Sequence, residues 1–84
     1  MNAQLLEKLT RSALKATLRF HFFSDHLSES KIEEFSDLLM PDLLPMILEM
    51  ATRDQLNDEM WRVVYYMTEA FHERYRACAI REKR

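Results

Sequence analysis

Apolar residues recur at helical spacing through most of this 84-residue chain, and the longest such run lies at its C-terminal end. Leu56, Met60, Val63, Met67, Phe71, Tyr75 and Cys78 are spaced 4, 3, 4, 4, 4 and 3 residues apart. That spacing keeps them on one face of a helix with 3.6 residues per turn. Trp61, Tyr65, Thr68 and His72 run beside them as an aromatic and polar flank. The pattern predicts one long helix over 53–82, with residues 83–84 as a frayed basic tail.

Three further helices are predicted upstream. Over 4–23, Leu6, Leu9, Ala13, Thr17 and Phe20 form a stripe that Leu5, Leu14, Leu18 and Phe22 widen. Ser30 and Glu33 then stand at capping-box spacing ahead of Ile32, Phe35, Leu38 and Leu39, which predicts a short helix over 31–39. Pro41 is expected to stop it, because proline lacks an amide donor and biases Met40 away from helical geometry. Asp42 is a suitable N-cap for a third helix over 42–51, with Pro45 in its first turn, where the missing donor costs little. That helix is apolar almost all round, as expected of one sandwiched in a core or docked on another chain. Thr52 and Gln55 repeat the capping spacing before the long helix.

The predicted fold is therefore all-α: a small bundle in which two long helices pack roughly antiparallel and two short ones cross between them. At 1.5 Å per residue the last helix would be about 45 Å long against about 30 Å for the first, leaving an overhang for a second copy or another protein to cover. The length of the chain predicts a single domain over 1–84. A domain this small buries only about 60% of its unfolded surface, which makes association a plausible source of stability.

Composition narrows the chemistry. Glycine is absent, so glycine-rich phosphate cradles and dinucleotide fingerprints are excluded, and tight two-residue hairpins are disfavoured. Cys78 is the single cysteine, which rules out an intrachain disulfide and suits a reducing, cytoplasmic location. No run is long and apolar enough to predict a membrane span or a signal peptide. The net charge of −2 conceals a sorted distribution. Residues 1–24 carry four basic and one acidic side chain, residues 25–59 two and ten, and residues 60–84 six and three. Lys8, Arg11, Lys15 and Arg19 form a basic ridge along the first helix, and Arg74, Arg76 and Arg81 continue the basic character near the end.

Each candidate for chemistry also has a packing role to fill. Glu69-x-x-His72 has the spacing by which one helix offers a carboxylate and an imidazole to one ion, but no second copy exists, and His21 and Asp25 would join only if the end of the first helix met the middle of the last. Neither metal nor cofactor is expected. Cys78 lies close to Arg74 and Arg81, which favour a thiolate, yet a small buried hydrophobe is the commoner role. Without glycine, and without a loop long enough to form an active-site lid, the chain has little from which to build an enclosed substrate pocket, so catalysis is not expected.

Protein recognition fits best. Trp61, Arg62, Tyr65 and Tyr66 are the residue types enriched at interface hot spots, and His72 lies on the same flank. The sequence thus predicts a cytosolic helical adaptor, regulator or inhibitor that docks a helical face on a protein partner, with a homodimer as the preferred state. The alternative is a nucleic-acid-associated regulator using the basic ridge and the basic C-terminal tip. A helix-turn-helix does not fit, since the would-be recognition helix has no basic residue.

Overall fold

The computed structural model describes residues 3–53 and 57–82, and all the regular structure among them is helical. Three helices, α1 (Ala3–His21), α2 (Glu29–Thr52) and α3 (Asn57–Glu82), are joined by a connection holding one 3₁₀ turn at Phe23–Asp25 and by a short segment after Arg53. The described residues span 47 × 20 × 18 Å. The all-α bundle expected from periodicity is present, with one helix fewer than predicted.

The difference lies in α2, which runs unbroken through Pro41 and Pro45. Its buried residues Ile32, Phe35, Ser36, Leu39, Met40, Leu43 and Ile47 make one continuous stripe past both prolines. The prolines sit four residues apart on the exposed side. There, the carbonyls that lose their amide partners, those of Asp37 and Pro41, can be solvated. An interior proline costs about 3 kcal/mol, whereas burying each large apolar side chain stabilises by about 1.5–3 kcal/mol. Met40, Leu43 and Ile47 together outweigh the local penalty, so the stripe decides.

The caps move accordingly. Ser28, with extended backbone, caps α2 by accepting a hydrogen bond from the Lys31 amide at 3.2 Å, and Ser30 lies within the first turn. Asp42 is inside the helix, not at a cap. Thr52 closes α2 by donating from Oγ1 to the Glu49 carbonyl at 2.6 Å. Arg53 is the C-cap, so the last helix does not begin there, and Gln55 and Leu56 lie outside the described residues, as do residues 83–84. His26 takes a left-handed conformation (φ 52°) in the first connection, in a chain with no glycine to place there.

A continuous α2 also reverses the expected orientation of the long helices. Arg11 pairs with Asp37, Lys15 with Glu33 and Arg19 with Glu29, so α2 runs antiparallel to α1. Phe35 packs on Phe71 and Tyr75, and α3 returns antiparallel to α2. Consequently α1 and α3 run in the same direction, with Thr17 beside Thr68 and Phe22 beside Tyr75. The two were expected to be antiparallel because four helices were counted between the ends instead of three.

The core consists of Leu6, Ala13, Leu14, Leu18 and Phe22, the α2 stripe, and Val64 from α3. Met60, Val63, Met67, Phe71 and Tyr75 pack against it partly buried. The α3 stripe is thus rotated toward Val64 and Thr68, which face α1. Thr10, Thr17 and Thr68 are buried with their hydroxyls bonded to carbonyls one turn back, those of Leu6, Leu14 and Val64. The Thr17 and Thr68 hydroxyls lie 3.0 Å apart across the α1/α3 contact. Leu5, Leu9 and Phe20, expected in the α1 stripe, are exposed instead, as is Leu38 on α2. Cys78 is exposed rather than buried.

Candidate functional site

Two grooves flank α3. On its α1 side, Trp61, Arg62, Tyr65 and Tyr66 close around Thr17 to line a groove of 270 Å³. On its α2 side, Leu38, Leu39, Phe71, Tyr75 and Cys78 line one of 430 Å³, with Asp42 and Arg74 at its rims.

The α1/α3 groove is where exposed aromatic surface concentrates. Trp61 is 52% exposed, Tyr65 40% and Tyr66 64%, and Phe20, which reaches over from α1, is 67% exposed. The rings of Phe20, Tyr65 and Tyr66 form a connected array, and Trp61 lines the same groove beside them. Phe20 lies 6.2 Å from Tyr65, Tyr65 lies 5.8 Å from Tyr66, and His21 is held against Tyr65 at 4.6 Å and against Phe20 at 5.3 Å. Contacts of this kind fix ring orientation beyond simple burial. A rigid floor supports the array, because Thr17 is tied to Thr68 beneath it.

Sequence reasoning named Trp61, Arg62, Tyr65 and Tyr66, and the fold brings these four together at the surface. His72 is not with them. Its side chain is only 12% exposed and its Nε2 lies 2.8 Å from Asp25 Oδ2, so it pins the first connection to α3 beneath the patch. Phe20 is the member that periodicity missed, having been assigned to the core stripe. The cluster Phe20-His21-Phe22-Phe23 carried a usable signal, since so many adjacent rings cannot share one narrow stripe. Phe22 alone of its three phenylalanines enters the core, stacked among Phe35, Phe71, His72 and Tyr75.

The end of α1 does meet the middle of α3, which brings Asp25 to His72 and places the His21 and His72 rings 6.3 Å apart. His21 Nε2 is buried and has no hydrogen-bond partner. Even so, among the described residues no three His, Cys, Asp or Glu side chains are arranged to hold a metal ion.

The basic ridge is turned toward α2. Arg11 contacts Asp37 at 2.5 Å, Glu33 at 3.8 Å and Ser36 at 3.3 Å, and Lys15 pairs with Glu33. Arg19 and Glu29 form a two-pronged pair, at 3.1 Å and 2.9 Å. That hydrogen bonding raises the Arg19 pKa and lowers that of Glu29. Lys8 is exposed at the start of the ridge, and Arg74 and Arg76 are exposed on α3. The side chain of Arg81 lies outside the described residues.

Comparison with protein-family models, with curated proteins and with solved structures finds no match to this chain. Among the described residues, no helix is long and apolar enough to cross a membrane. Function therefore has to be read from the surface itself.

Proposed function

We propose that this chain is a small helical interaction protein, an adaptor, regulator or inhibitor, that docks its α1/α3 face on a protein partner or on a second copy of itself. The observation that carries this reading is the exposed aromatic surface of Phe20, Trp61, Tyr65 and Tyr66 around one groove, with Arg62 also lining it. Tryptophan, tyrosine and arginine are enriched at interface hot spots, the two aromatic types because they bury much area at little conformational cost. Together with Leu5 and Leu9, exposed along the same side of α1, the patch presents roughly 600 Å² of apolar side chain. That lies at the upper end of what monomers ordinarily expose, about 300–600 Å². The role is one of binding rather than catalysis, and the lone exposed Cys78 favours a reducing compartment such as the cytosol.

Nucleic-acid binding by the basic ridge is the weaker reading. Arg11, Lys15 and Arg19 already face carboxylates of α2, and a phosphate backbone would have to displace those pairs. The test compares wild type with Tyr66→Ala and Lys8→Glu in affinity capture from the native host. Tyr66→Ala should abolish specific capture while leaving the melting temperature nearly unchanged, because the ring is largely exposed. Capture that survives Tyr66→Ala but fails with Lys8→Glu, and falls steeply with salt, would favour the nucleic-acid reading.

A further inference from the structure

We propose that His21 is a pH-sensitive latch on the α1/α3 face: its neutral ring holds Tyr65 and Phe20 in place, and on becoming an imidazolium it turns out of its niche and releases them. This inference rests on the docking role assigned above and adds a means of regulating that face.

The carrying observation is a single atom. Among the described residues, His21 Nε2 is the one buried side-chain nitrogen or oxygen without a hydrogen-bond partner. Buried polar atoms of native folds are nearly always satisfied, so an exception calls for a reason. His21 is the last residue of α1, and its ring is enclosed by Tyr65 at 4.6 Å, Phe20 at 5.3 Å and His72 at 6.3 Å. A neutral imidazole fits this niche, because Nε2 can stand there as a bare acceptor with the proton on Nδ1. An imidazolium carries an N–H at both positions. Its buried Nε2–H is then a charged donor with nothing to receive it, which costs more than an unpaired neutral group.

The surroundings do not supply the missing acceptor. In the connection, Asp25 is taken by His72 Nε2 at 2.8 Å, and His26 is exposed. At the near end of α2, Glu29 is paired with Arg19 of α1, and Lys31 with Glu34. On α3, Tyr65 and His72 meet His21 ring to ring. Glu69, four residues after Tyr65 and three before His72, lies on the same side of α3 and joins none of the ion pairs among the described residues. Nε2 reaches neither Glu69 nor water from its present position. The C-terminal end of α1 attracts a cation, so a proton is drawn to His21 that the niche cannot house. His72 can take its own second proton in place, opposite Asp25, and two charged rings 6.3 Å apart repel. The His21 ring is therefore driven outward, to solvent or to Glu69, and Tyr65 and Phe20 lose the contact that orients them.

NMR of the histidine rings, with ring-to-ring Overhauser contacts, tests the latch on wild type and His21→Phe between about pH 8 and about pH 5, the span in which histidine changes charge. At the alkaline end the His21 ring should carry its proton on Nδ1 and show contacts to Tyr65. Those contacts should vanish in step with proton uptake by His21. The near-ultraviolet circular dichroism of the aromatic array should fall alongside while the far-ultraviolet helical signal is retained. His21→Phe keeps a ring in the niche and has no proton to gain, so it should hold its near-ultraviolet signal across the range. Should wild type unfold outright on acidification, His21→Phe should stay folded to a lower pH. Contacts to Tyr65 that persist once His21 is charged, or the same acid response in both proteins, would overturn the latch. The docking role is tested apart from it by the Tyr66→Ala comparison above, which leaves His21 untouched.

Discussion

Replacing Pro41 or Pro45 with alanine should stabilise the protein, although proline is often thought of as a residue that stiffens a fold. Both prolines lie inside α2, on its exposed side, four residues apart. In Pro41→Ala the new amide can donate to the carbonyl of Asp37, and in Pro45→Ala to that of residue 41. Each change also relieves the ring's contact with the preceding turn. The full helix-interior penalty of proline is about 3 kcal/mol. Two effects reduce the gain: water already solvates the exposed carbonyls, and alanine returns about 0.4–1 kcal/mol of freedom to the unfolded chain. The net expectation is about 1–2 kcal/mol for each substitution. For a domain of this size 1 kcal/mol shifts the melting temperature by about 4–8 °C, so each variant should melt about 5–15 °C above wild type. Thermal melts followed by circular dichroism at 222 nm are sufficient. Pro45→Ala is the more discriminating of the two. Were the chain to break at Pro41 and restart at Asp42, Pro45 would sit harmlessly in a first turn and its replacement would gain almost nothing. A neutral or destabilising Pro45→Ala would therefore refute a continuous α2.

Two other expectations follow from the packing. Thr17→Val and Thr68→Val should each cost about 0.5–1.5 kcal/mol by removing the contact between the two hydroxyls, the surviving one keeping its own-helix carbonyl. The double variant should cost no more than either alone, and strictly additive losses in denaturant melts would argue against the pair. The Arg19 hydrogen bonds hold the Glu29 pKa below its ordinary value, so this pair contributes stability above the unfolded carboxylate's pKa. That contribution is lost as pH falls through the lowered folded value. Glu29→Gln should make the acid limb of the stability curve slightly shallower and leave its alkaline limb unchanged, a small effect because both side chains are half or more exposed.

Helix class was legible because periodicity alone separates a 3.6-residue repeat from an alternating one. No break occurs at Pro41 because the burial of Leu43 and Ile47, which only the folded chain supplies, overrides the local preference of proline. The orientation of the long helices follows from it, since one helix more or fewer reverses the last one. Thr68 falls on the polar flank by spacing, yet its hydroxyl is satisfied by the Val64 carbonyl and lies against that of Thr17, which lets it occupy the core. Leu9 and Phe20 fit the α1 stripe by spacing, but the buried arc is centred nearer Thr10, Leu14 and Thr17. The match between a basic ridge and an acidic middle segment, by contrast, was visible as charge sorting and reappears as the α1/α2 ion pairs. The aromatic patch was partly visible for a related reason: Tyr65 and Tyr66 point about 100° apart on a helix, so one had to face outward.

Trp61 is the single tryptophan in the chain and lies in the proposed docking face, so its fluorescence reports on that face directly. Acrylamide quenching of Trp61, measured as the protein is diluted from roughly 200 µM to roughly 1 µM and accompanied by far-ultraviolet circular dichroism, tests the central claim most simply. Quenching should rise sharply on dilution while the helical signal holds steady, as the second copy leaves the Trp61 face. Quenching that is high and constant across the whole range would contradict self-docking by this face, which would then stand open to solvent at every concentration.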